Sequence, residues 1–334
     1  MKKLRAGILG VGSIAHQHAH AIRQLHEHIE LVACCGRDET KTRALADHYT
    51  AGRAFVFTNH ADMFERANLD VVIICLPPFA RTDEVDRAAA RGVHVLIEKP
   101  IALDSETAWN RVRAAERAGI KTQVGFMYRF GAAVEQFKTR LDAGEFGAVG
   151  LLGARYFANS LHASWWRERE KSGGQIVEQA IHLFDLLRYL AGDVTRVYAR
   201  QANLFHRDIP AYDIEDMSAT ILEFANGALG VVYATNAAVQ NKWVKEWRVV
   251  TQNILAEFAD WNQATFTPTN EPNAAQQNII SNRDVFVAQL QDFIRAIQTN
   301  GETRTPMREG ARSLDVVLAA VRSNEIGMPV AIET

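Results

Sequence analysis

The hydrophobic positions in the first third of the chain come as short continuous runs, separated by segments with helical periodicity. Continuous apolar runs are typical of strands that are buried on both faces of a sheet, as in parallel α/β folds. The runs cover residues 6–9, 29–35, 70–76 and 93–97. This alternation predicts an α/β domain over residues 1–125 with a doubly wound, mainly parallel sheet of the Rossmann type.

Beyond about residue 125 the alternation of strand and helix does not resume. The later apolar segments have the composition of strands in an antiparallel sheet, and two helices are expected near the end of the chain. The expected strands cover residues 151–158, 194–201, 217–223, 228–234, 247–250, 256–259 and 264–267. We therefore expect a second domain, over residues 126–334, with an α+β fold and a large, mostly antiparallel sheet.

The turn after the first strand carries the candidate cofactor chemistry. Gly10, Gly12 and Ala15 form the pattern G-x-G-x-x-A between a strand and a helix. Gly10 permits the sharp turn, Gly12 lets the backbone approach a pyrophosphate, and Ala15 lets the helix lie close to the strand. With Ser13 and Ile14 at the helix N-terminus, the turn predicts dinucleotide binding. The competing interpretation is a tight strand–helix turn in some other α/β protein.

The end of the second strand bears on the choice of cofactor. NAD-binding folds usually place a carboxylate here, for the adenosine ribose, but this chain has Gly36 followed by Arg37. A guanidinium can pair with a 2′-phosphate, so the sequence favours NADP over NAD. Alternatively, Arg37 is a solvated loop residue. Asp38 could be a displaced ribose ligand, although it more closely resembles the N-cap of the next helix.

Two further strand ends contribute candidate residues. Leu76 and Pro77 follow one buried strand and are expected to pack along the cofactor, because strand carboxyl ends face the binding crevice. Glu98, Lys99 and a proline follow the next strand. The proline holds Lys99 in an extended or turn geometry, from which its ammonium could bind a substrate oxygen. The alternative is a structural ion pair between Lys99 and Glu98.

A histidine with carboxylates on one helical face is the candidate proton-transfer group. Residues 178–190 predict one helix, in which Glu178 and His182 are four residues apart and His182 and Asp185 three. A carboxylate beside a histidine fixes the tautomer and keeps the pKa in a useful range. Such a histidine can equally be a structural group within a helix, and Asp185 can serve the packing alone.

Three motifs together resemble the Gfo/Idh/MocA family of NAD(P)-dependent oxidoreductases. They are the turn at residues 10–15, the E-K-P triplet at residues 98–100, and the stretch from Ser172 to Asp185. The resemblance covers essentially the whole chain. It implies a Rossmann domain followed by a substrate-binding domain whose sheet makes dimer or tetramer contacts. It also implies that Lys99 handles the substrate oxygen and that His182 is the acid/base group.

The chain departs from the family pattern at three places. Glu178 stands where the family often has Asp, Ala180 where it often has Gly, and Arg81-Thr82 where it often has a histidine. These departures affect the expected identity of the substrate more than the expected fold. The candidate substrate-binding residues are Lys99, Tyr128, Trp166, Arg167, His182 and Asp185. Trp166 and Arg167 lie in a polar loop whose aromatic residues suit stacking against a sugar, or alternatively packing between the domains.

The overall composition narrows the choice of partners. The 334 residues carry a formal net charge of −2, which gives no indication of nucleic acid or an anionic membrane as partner. The three cysteines lie in apolar runs and indicate buried thiols in a reducing, cytoplasmic location. His16 and His20 are four residues apart, but no cysteine or carboxylate completes a set, so no metal is expected.

These observations predict a dehydrogenase or reductase that transfers hydride between NADP, or NAD, and a hydroxyl-bearing carbon of a sugar, sugar derivative or cyclitol. His182, Lys99 and Glu178 are the predicted catalytic residues. Two alternatives remain open. One is a glycosidase or lyase that uses NAD transiently without net redox, and the other is a non-enzymatic dinucleotide-binding sensor.

Overall fold

The computed structural model describes residues 3–270 and 273–332. The chain divides into two compact units, which are described separately below. The first unit comprises the residues up to Met127 together with Asp284–Ala311, and the second comprises Tyr128–Arg283 together with the residues from Arg312 onward. The first unit thus includes a late segment that the sequence-based division assigned to the second domain.

The N-terminal part of the chain alternates strand and helix, as the apolar runs predict. Its elements are β1 (Leu4–Leu9), α1 (Ser13–Gln24), β2 (Ile29–Cys35), α2 (Glu39–Thr50), β3 (Phe55–Phe57), α3 (His60–Arg66), β4 (Val71–Ile74), α4 (Glu84–Ala90), β5 (His94–Ile97), α5 (Ser105–Arg117) and β6 (Thr122–Val124). Short 3₁₀ turns cover Pro78–Ala80 and Met127–Phe130.

The remainder of the chain is built mainly of strands. Its elements are α6 (Ala132–Asp142), β7 (Val149–Phe157), α7 (Arg169–Ser172), α8 (Ile181–Ala191), β8 (Val194–Ala202), β9 (Met217–Phe224), β10 (Leu229–Thr235), β11 (Val244–Thr251), β12 (Ile254–Phe258), β13 (Gln263–Pro268), β14 (Gln277–Ile280), α9 (Val285–Thr299), α10 (Met307–Ile326) and β15 (Val330–Ala331). A 3₁₀ turn covers Ser164–Arg167, and one turn of π-helix, Ile176–Ala180, precedes α8.

The first unit contains a parallel sheet with the strand order β3-β2-β1-β4-β5-β6. The order reverses beside β1, which places the carboxyl ends of β1 and β4 at the topological switch point of the fold. All four residues of β4 are buried, because helices cover both faces of a parallel sheet. The predicted doubly wound Rossmann sheet is confirmed.

Helix α9 belongs to the first unit although it lies far from it in the sequence. It packs against α1, and its residues Leu290, Phe293 and Ile294 lie in the same core cluster as β1 and β4. Gln289 is fully buried and donates a hydrogen bond to the carbonyl of Val124 in β6 (2.8 Å). The late segment is therefore an integral part of the core of this unit.

In the described residues, the second unit has a nine-stranded sheet with the order β14-β13-β12-β11-β7-β10-β9-β8-β15. Every pair is antiparallel except β7 and β10, which run parallel. The prediction of a large, mostly antiparallel sheet is confirmed. The terminal strands β14 and β15 were not predicted; they are short and mostly exposed.

The two faces of this second sheet differ in burial. Along β10, exposed residues alternate with buried ones, as a strand covered on one face requires. The exposed positions of β10 are Leu229, Val231 and Tyr233, and Val231 is paired with the exposed Ile221 of β9. An apolar face therefore remains uncovered on this sheet within the described protomer.

The three cysteines are free and buried, as the sequence indicates. Burial raises the pKa of Cys34 and of Cys35 to about 12, with the neighbouring negative charges as smaller causes. Both thiols are therefore protonated and unreactive at neutral pH. In the described part of the chain, no helix is long and apolar enough to cross a membrane.

Candidate functional site

The turn between β1 and α1 has the features that a pyrophosphate site requires. Gly10 adopts φ +93°, and a Cβ there would lie 2.8 Å from the carbonyl carbon of Cys75, so only glycine fits. Gly12 and Ser13 are exposed, and a Cβ at Gly12 would meet nothing within 4 Å. Gly12 is the N-cap of α1 and provides no side-chain cap for the helix. The N–H groups of the first turn of α1 thus suit an anion.

The end of β2 combines a closely packed glycine with an exposed arginine. Gly36 is buried, and a Cβ there would lie 2.7 Å from the hydroxyl oxygen of Thr42. Arg37 is exposed. Asp38 accepts a hydrogen bond from the backbone N–H of Lys41 (3.1 Å) and so caps α2, the role that its sequence position favours. Arg37 is therefore an exposed charged residue close to the end of β2. The capping of α2 is performed by Asp38 and not by Arg37.

The loops after β4 and β5 are tied together by a buried arginine. Arg81 donates to the carbonyl of Leu76 through Nε (2.9 Å) and Nη2 (2.7 Å), and its Nη1 donates to the carbonyl of Pro100. Burial and the nearby Arg111 lower the pKa of Arg81 to about 10, so it remains charged at neutral pH. At this departure from the family pattern, the chain therefore has a structural cation that fixes both loops.

The carboxylate of Glu98 is paired with a histidine of α1. The Nε2 atom of His18 lies 2.8 Å from Oε1 of Glu98, and both side chains are buried. The glycine at position 125 leaves room for this carboxylate, since a Cβ there would lie 2.5 Å from it. Lys99 follows as a half-buried residue before a cis proline bond. A histidine pairing for Glu98 was not anticipated, because 80 residues separate the two.

His182 lies at the start of α8, directly after the π-helical turn Ile176–Ala180. The sequence predicts a single continuous α-helix over these residues, so the π turn is a correction to that expectation. A π turn widens the helix and is frequent at functional sites. His182 is only 8% exposed, and its ring stacks on that of Tyr128, with centroids 4.7 Å apart.

Tyr128 forms the centre of an aromatic stack. Its ring also stacks on Trp261 (4.8 Å) and on Trp247 (6.1 Å). Burial raises the pKa of Tyr128 well above its ordinary value, so the phenol stays neutral. The stack fixes the plane of the His182 ring. Whether Tyr128 touches substrate remains a prediction.

Glu178 and Trp166 are joined by a hydrogen bond. The indole Nε1 of Trp166 donates to Oε2 of Glu178 (3.0 Å), and Trp166 is 2% exposed while Glu178 is half-buried. Arg167 donates to the backbone carbonyls of Leu161 (2.8 Å) and His162 (3.4 Å). Through these hydrogen bonds, Trp166 and Arg167 hold the loop that precedes Glu178 in the sequence.

Asp185 takes part in a buried ion pair. Arg129 donates to both carboxylate oxygens, at 2.8 Å and 2.6 Å, and the hydroxyl of Ser313 donates to Oδ1 at 3.0 Å. Asp185 is 1% exposed and Arg129 is 2% exposed. These contacts favour the packing role that the sequence left open for Asp185.

The segment that leads into His182 is held by Glu215. Oε1 of this buried carboxylate accepts from the backbone N–H of Ile176 (2.8 Å), and Oε2 binds Nη2 of Arg169 (3.0 Å). Gly174 adopts φ +99°, and a Cβ there would lie 2.5 Å from Oε2. Gly174 therefore makes room for an anchoring carboxylate. Glu215 was missed because nothing near position 215 marks it.

Further polar and aromatic side chains of the second unit gather around Glu178. His162 packs against Trp166 and Trp243, and its Nε2 is hydrogen-bonded to the amide nitrogen of Gln179 (2.5 Å). The ammonium of Lys245 lies over three aromatic rings. Neither Gln179 nor Lys245 was singled out from the sequence, because their contacts join segments that lie far apart along the chain.

The histidines of α1 do not form a metal cluster in the part of the chain that the structure describes, where no group of three or more potential ligands is found. His18 pairs with Glu98, while His20 lies 3.8 Å from Asp284. His16 packs against the ring of Tyr49.

Comparison with known protein families gives two matches. Residues 4–126 match the family described as "Oxidoreductase family, NAD-binding Rossmann fold", and residues 134–253 match the "GFO/IDH/MocA C-terminal domain". Together the two matches cover well over half of the chain.

Individual relatives are similar over nearly their whole length. One is scyllo-inositol 2-dehydrogenase (NAD⁺) from Bacillus subtilis, 27% identical over 99% of this chain and 97% of the relative. Another is D-xylose 1-dehydrogenase (NADP⁺) 2 from Haloferax volcanii, 26% identical over 98% and 99%. Among solved structures, the WlbA dehydrogenase of Bordetella pertussis, in complex with NADH and UDP-GlcNAcA, is 26% identical over 100% of both chains with a TM-score of 0.87.

Proposed function

Because the chain belongs to the Gfo/Idh/MocA oxidoreductase family, we propose that it is an NAD(P)-dependent dehydrogenase or reductase for a CH–OH group of a sugar, sugar derivative or cyclitol. The observation that carries this proposal is the setting of His182. A histidine that stacks on an aromatic ring and directly follows a π turn carrying the half-buried Glu178 suits proton transfer to a sugar hydroxyl.

The first unit supplies the cofactor site in this proposal. The uncapped N-terminus of α1, with Gly12, Ser13 and Ile14, would hold the pyrophosphate, and the sharp turn at Gly10 brings that helix to the sheet edge. Leu76, Pro77 and Glu98 would line the cofactor at the strand ends. Hydride chemistry is supplied by the nicotinamide ring when the cofactor is bound.

His182, Lys99 and Glu178 handle the proton and the oxygen. In the oxidative direction, a ring nitrogen of His182 accepts the hydroxyl proton while the substrate carbon loses hydride. The ammonium of Lys99 polarises the same oxygen, and Glu178 supports His182. The Tyr128 stack keeps the imidazole plane fixed throughout, which reduces the reorganisation that proton transfer requires.

NADP is the preferred cofactor in this proposal. Gly36 provides no carboxylate that would repel a 2′-phosphate, Arg37 is exposed and charged, and Asp38 is engaged as the cap of α2. A guanidinium binds phosphate oxygens in a bidentate manner. The Arg37→Gln variant is therefore expected to lose about 10- to 100-fold in kcat/KM with NADP⁺ and little with NAD⁺.

The uncovered face of the second sheet is proposed to form a homodimer or homotetramer. Leu229, Val231 and Ile221 present an apolar surface that water disfavours. Val231→Lys should shift sedimentation velocity towards smaller species. Phe55→Lys, which places a charge at an exposed apolar position of the first unit, is the matched control and should leave assembly unchanged.

The decisive experiment is a turnover screen of the purified chain. Sugars, sugar acids and inositols are each offered with NAD⁺ and with NADP⁺, and reduced nicotinamide is followed by absorbance. His182→Asn is expected to lower kcat by about 10²- to 10⁴-fold. His48→Gln, at an exposed histidine of α2, serves as control and should retain full activity.

The screen also separates the alternatives. Net reduction that is insensitive to His182→Asn contradicts the assigned role of His182. Product formation without net reduction would instead indicate a glycosidase or lyase. Tight retention of cofactor with no turnover of any substrate would indicate a sensor.

A further inference from the structure

Two short elements carry the stacked rings of the proposed site. Tyr128 lies in the 3₁₀ turn Met127–Phe130, and His182 lies in the first turn of α8. Their ring planes differ by only 18°, with the centroids 4.7 Å apart. Aromatic pairs are stable over centroid distances of about 4.5–7 Å, so a stack tolerates sliding of one ring over the other. The stack alone therefore leaves the exact place of the imidazole open.

A second contact joins the same two elements. Arg129 directly follows Tyr128 in the 3₁₀ turn. Asp185 lies about one helical turn after His182 in α8. Nε of Arg129 donates to Oδ2 of Asp185 (2.8 Å), and its Nη2 donates to Oδ1 (2.6 Å). Because a planar guanidinium that binds both oxygens of a carboxylate fixes orientation as well as distance, this ion pair sets the relative position that the stack leaves open.

The carboxylate of the ion pair is in turn hydrogen-bonded to α10. Ser313 is fully buried, and its hydroxyl donates to Oδ1 of Asp185 (3.0 Å). The hydroxyl oxygen of Ser313 accepts from Nη1 of Arg188 (3.0 Å), whose Nη2 donates to Asp193 (3.1 Å). Arg129 and Asp185 are 2% and 1% exposed. Electrostatic attraction is stronger in such a buried setting than in water, so the carboxylate is held in one place.

Packing alone gives only a weak reason for a buried ion pair at this position. Two charges lose their hydration on burial, and apolar residues of similar volume often stabilise a core equally well. The neighbours of Asp185 in α8 are apolar and buried, namely Leu183, Phe184, Leu186 and Leu187. A directional pair adds what apolar packing does not provide, a single geometry between the two elements that it joins.

We propose that Arg129 and Asp185 are positioning residues for the proposed catalytic histidine. Their ion pair sets the 3₁₀ turn against α8, which holds the Tyr128 ring on His182 and fixes the plane in which the imidazole meets the substrate hydroxyl. This inference rests on the proposed function of His182. Proton transfer is sensitive to such placement, since an error of about 1 Å can cost roughly 100-fold in rate. Substrate affinity depends on it much less.

A double variant separates positioning from stability. Arg129→Met alone removes the cation from a buried carboxylate, so the melting temperature should fall by roughly 10 °C. Arg129→Met combined with Asp185→Leu replaces both charges by apolar side chains and should recover most of that loss.

Kinetic assays are run well below the melting temperature of the double variant, so that it is folded. Its kcat should be lower than that of wild type by about 10- to 100-fold, with KM within about threefold. A purely structural ion pair predicts a wild-type kcat in this folded variant, and that result would overturn the inference.

A conservative variant and a matched control complete the kinetic series. Arg129→Lys keeps the charge but replaces the two-point contact by a single flexible one, so its kcat should fall between those of wild type and the double variant. Two nitrogens of Arg308 also donate to a carboxylate, that of Glu116 (2.6 and 3.1 Å), but both residues are exposed. Arg308→Met combined with Glu116→Leu is the control and should retain the wild-type kcat.

A spectroscopic measurement tests the positioning without turnover. In protein with isotope-labelled histidine, the ring signal of His182 is identified by its loss in His182→Asn. The Tyr128 ring should shift this signal in wild type, because an aromatic ring changes the resonance of a proton held over its face. In the double variant the signal should move towards that of an unstructured histidine. An unchanged signal would overturn the inference.

The two measurements distinguish this inference from the proposed function. If His182→Asn lowers kcat and the double variant changes neither kcat nor the His182 signal, the inference fails while the proposed function stands. If His182→Asn leaves turnover unchanged, the proposed role of His182 fails, and the His182 signal in the double variant alone decides whether the ion pair positions the ring.

Discussion

The two sheets of this protein differ in how far their apolar side chains are buried. In the parallel sheet of the first unit, all residues of β4 are buried, because helices cover both faces within the same chain. In the antiparallel sheet of the second unit, β10 buries every second residue and leaves Leu229, Val231 and Tyr233 exposed. The parallel sheet is buried on both faces, whereas the antiparallel sheet leaves apolar side chains of one face exposed in the part of the chain that the structure describes.

The largest expected effect tests this contrast in stability. Ile73 of β4 is 0% exposed and Val231 of β10 is 37% exposed. Ile73→Ala should lower the free energy of unfolding by about 2–5 kcal/mol, because it leaves a cavity in a close-packed core. Val231→Ala should cost less than about 0.5 kcal/mol in the monomer. Urea unfolding at a protein concentration where the chain is monomeric measures both.

Equal losses in the two variants would contradict the comparison. They would mean that Val231 is covered within its own protomer. A loss at Val231 that appears only at high protein concentration would locate its contribution in assembly instead.

A second, smaller effect distinguishes a glycine that the fold of the first unit requires from one that cofactor binding is proposed to require. Gly10→Ala forces a side chain into φ +93° and against the backbone at Cys75, so the free energy of unfolding should fall by about 1–3 kcal/mol. Gly12→Ala meets no atom within 4 Å. It should leave the melting temperature nearly unchanged and weaken cofactor binding, as measured by fluorescence titration. If Gly12→Ala bound cofactor normally, the proposed pyrophosphate position would be wrong.

The smallest expected effect is a pH dependence that comes from Glu215. Burial raises the pKa of this carboxyl, although Arg169 and the N–H of Ile176 oppose the rise. The unfolded chain therefore loses this proton first as the pH rises above about 4.3, and the folded state loses stability until its own pKa is passed. Glu215→Gln removes the titration, so the stability of wild type relative to the variant should fall between pH 4 and 7.

Urea unfolding at several pH values measures this difference. The glutamine retains the size of the side chain and can still accept from Ile176, which makes the variant a matched reference. Stability curves of wild type and variant that run parallel across this range would contradict the assignment.

The sequence predicted the fold well because both sheet patterns are local. Continuous apolar runs indicate parallel strands, strand-like segments without intervening helices indicate antiparallel ones, and the turn at Gly10 and Gly12 marks the first crossover. The π turn before His182 was not predicted, since its widened helix depends on packing and on the anchor at Glu215 rather than on local composition.

The candidate site was only partly predictable, for a related reason. Its motif residues follow strand ends or open a helix, where local pattern fixes their place. His18 of α1 and Glu98 after β5, in contrast, are 80 residues apart and meet only in the folded unit. Lys245 and Tyr156 likewise meet through the pairing of β7 with β11. Side chains that converge through long-range pairing leave no periodic signal in one sequence.

The position of α9 has a consequence for how the protein is made. Leu290, Phe293 and Ile294 complete the core of the first unit, yet they follow β6 by about 165 residues. A ribosome that adds about 5–20 residues per second needs roughly 8 to 33 s to cover that distance. During this time the helix α1 has no α9 to pack against, and its apolar side is open to water or to chaperones. The first unit therefore cannot complete its core until the segment Tyr128–Arg283 of the second unit has been synthesised.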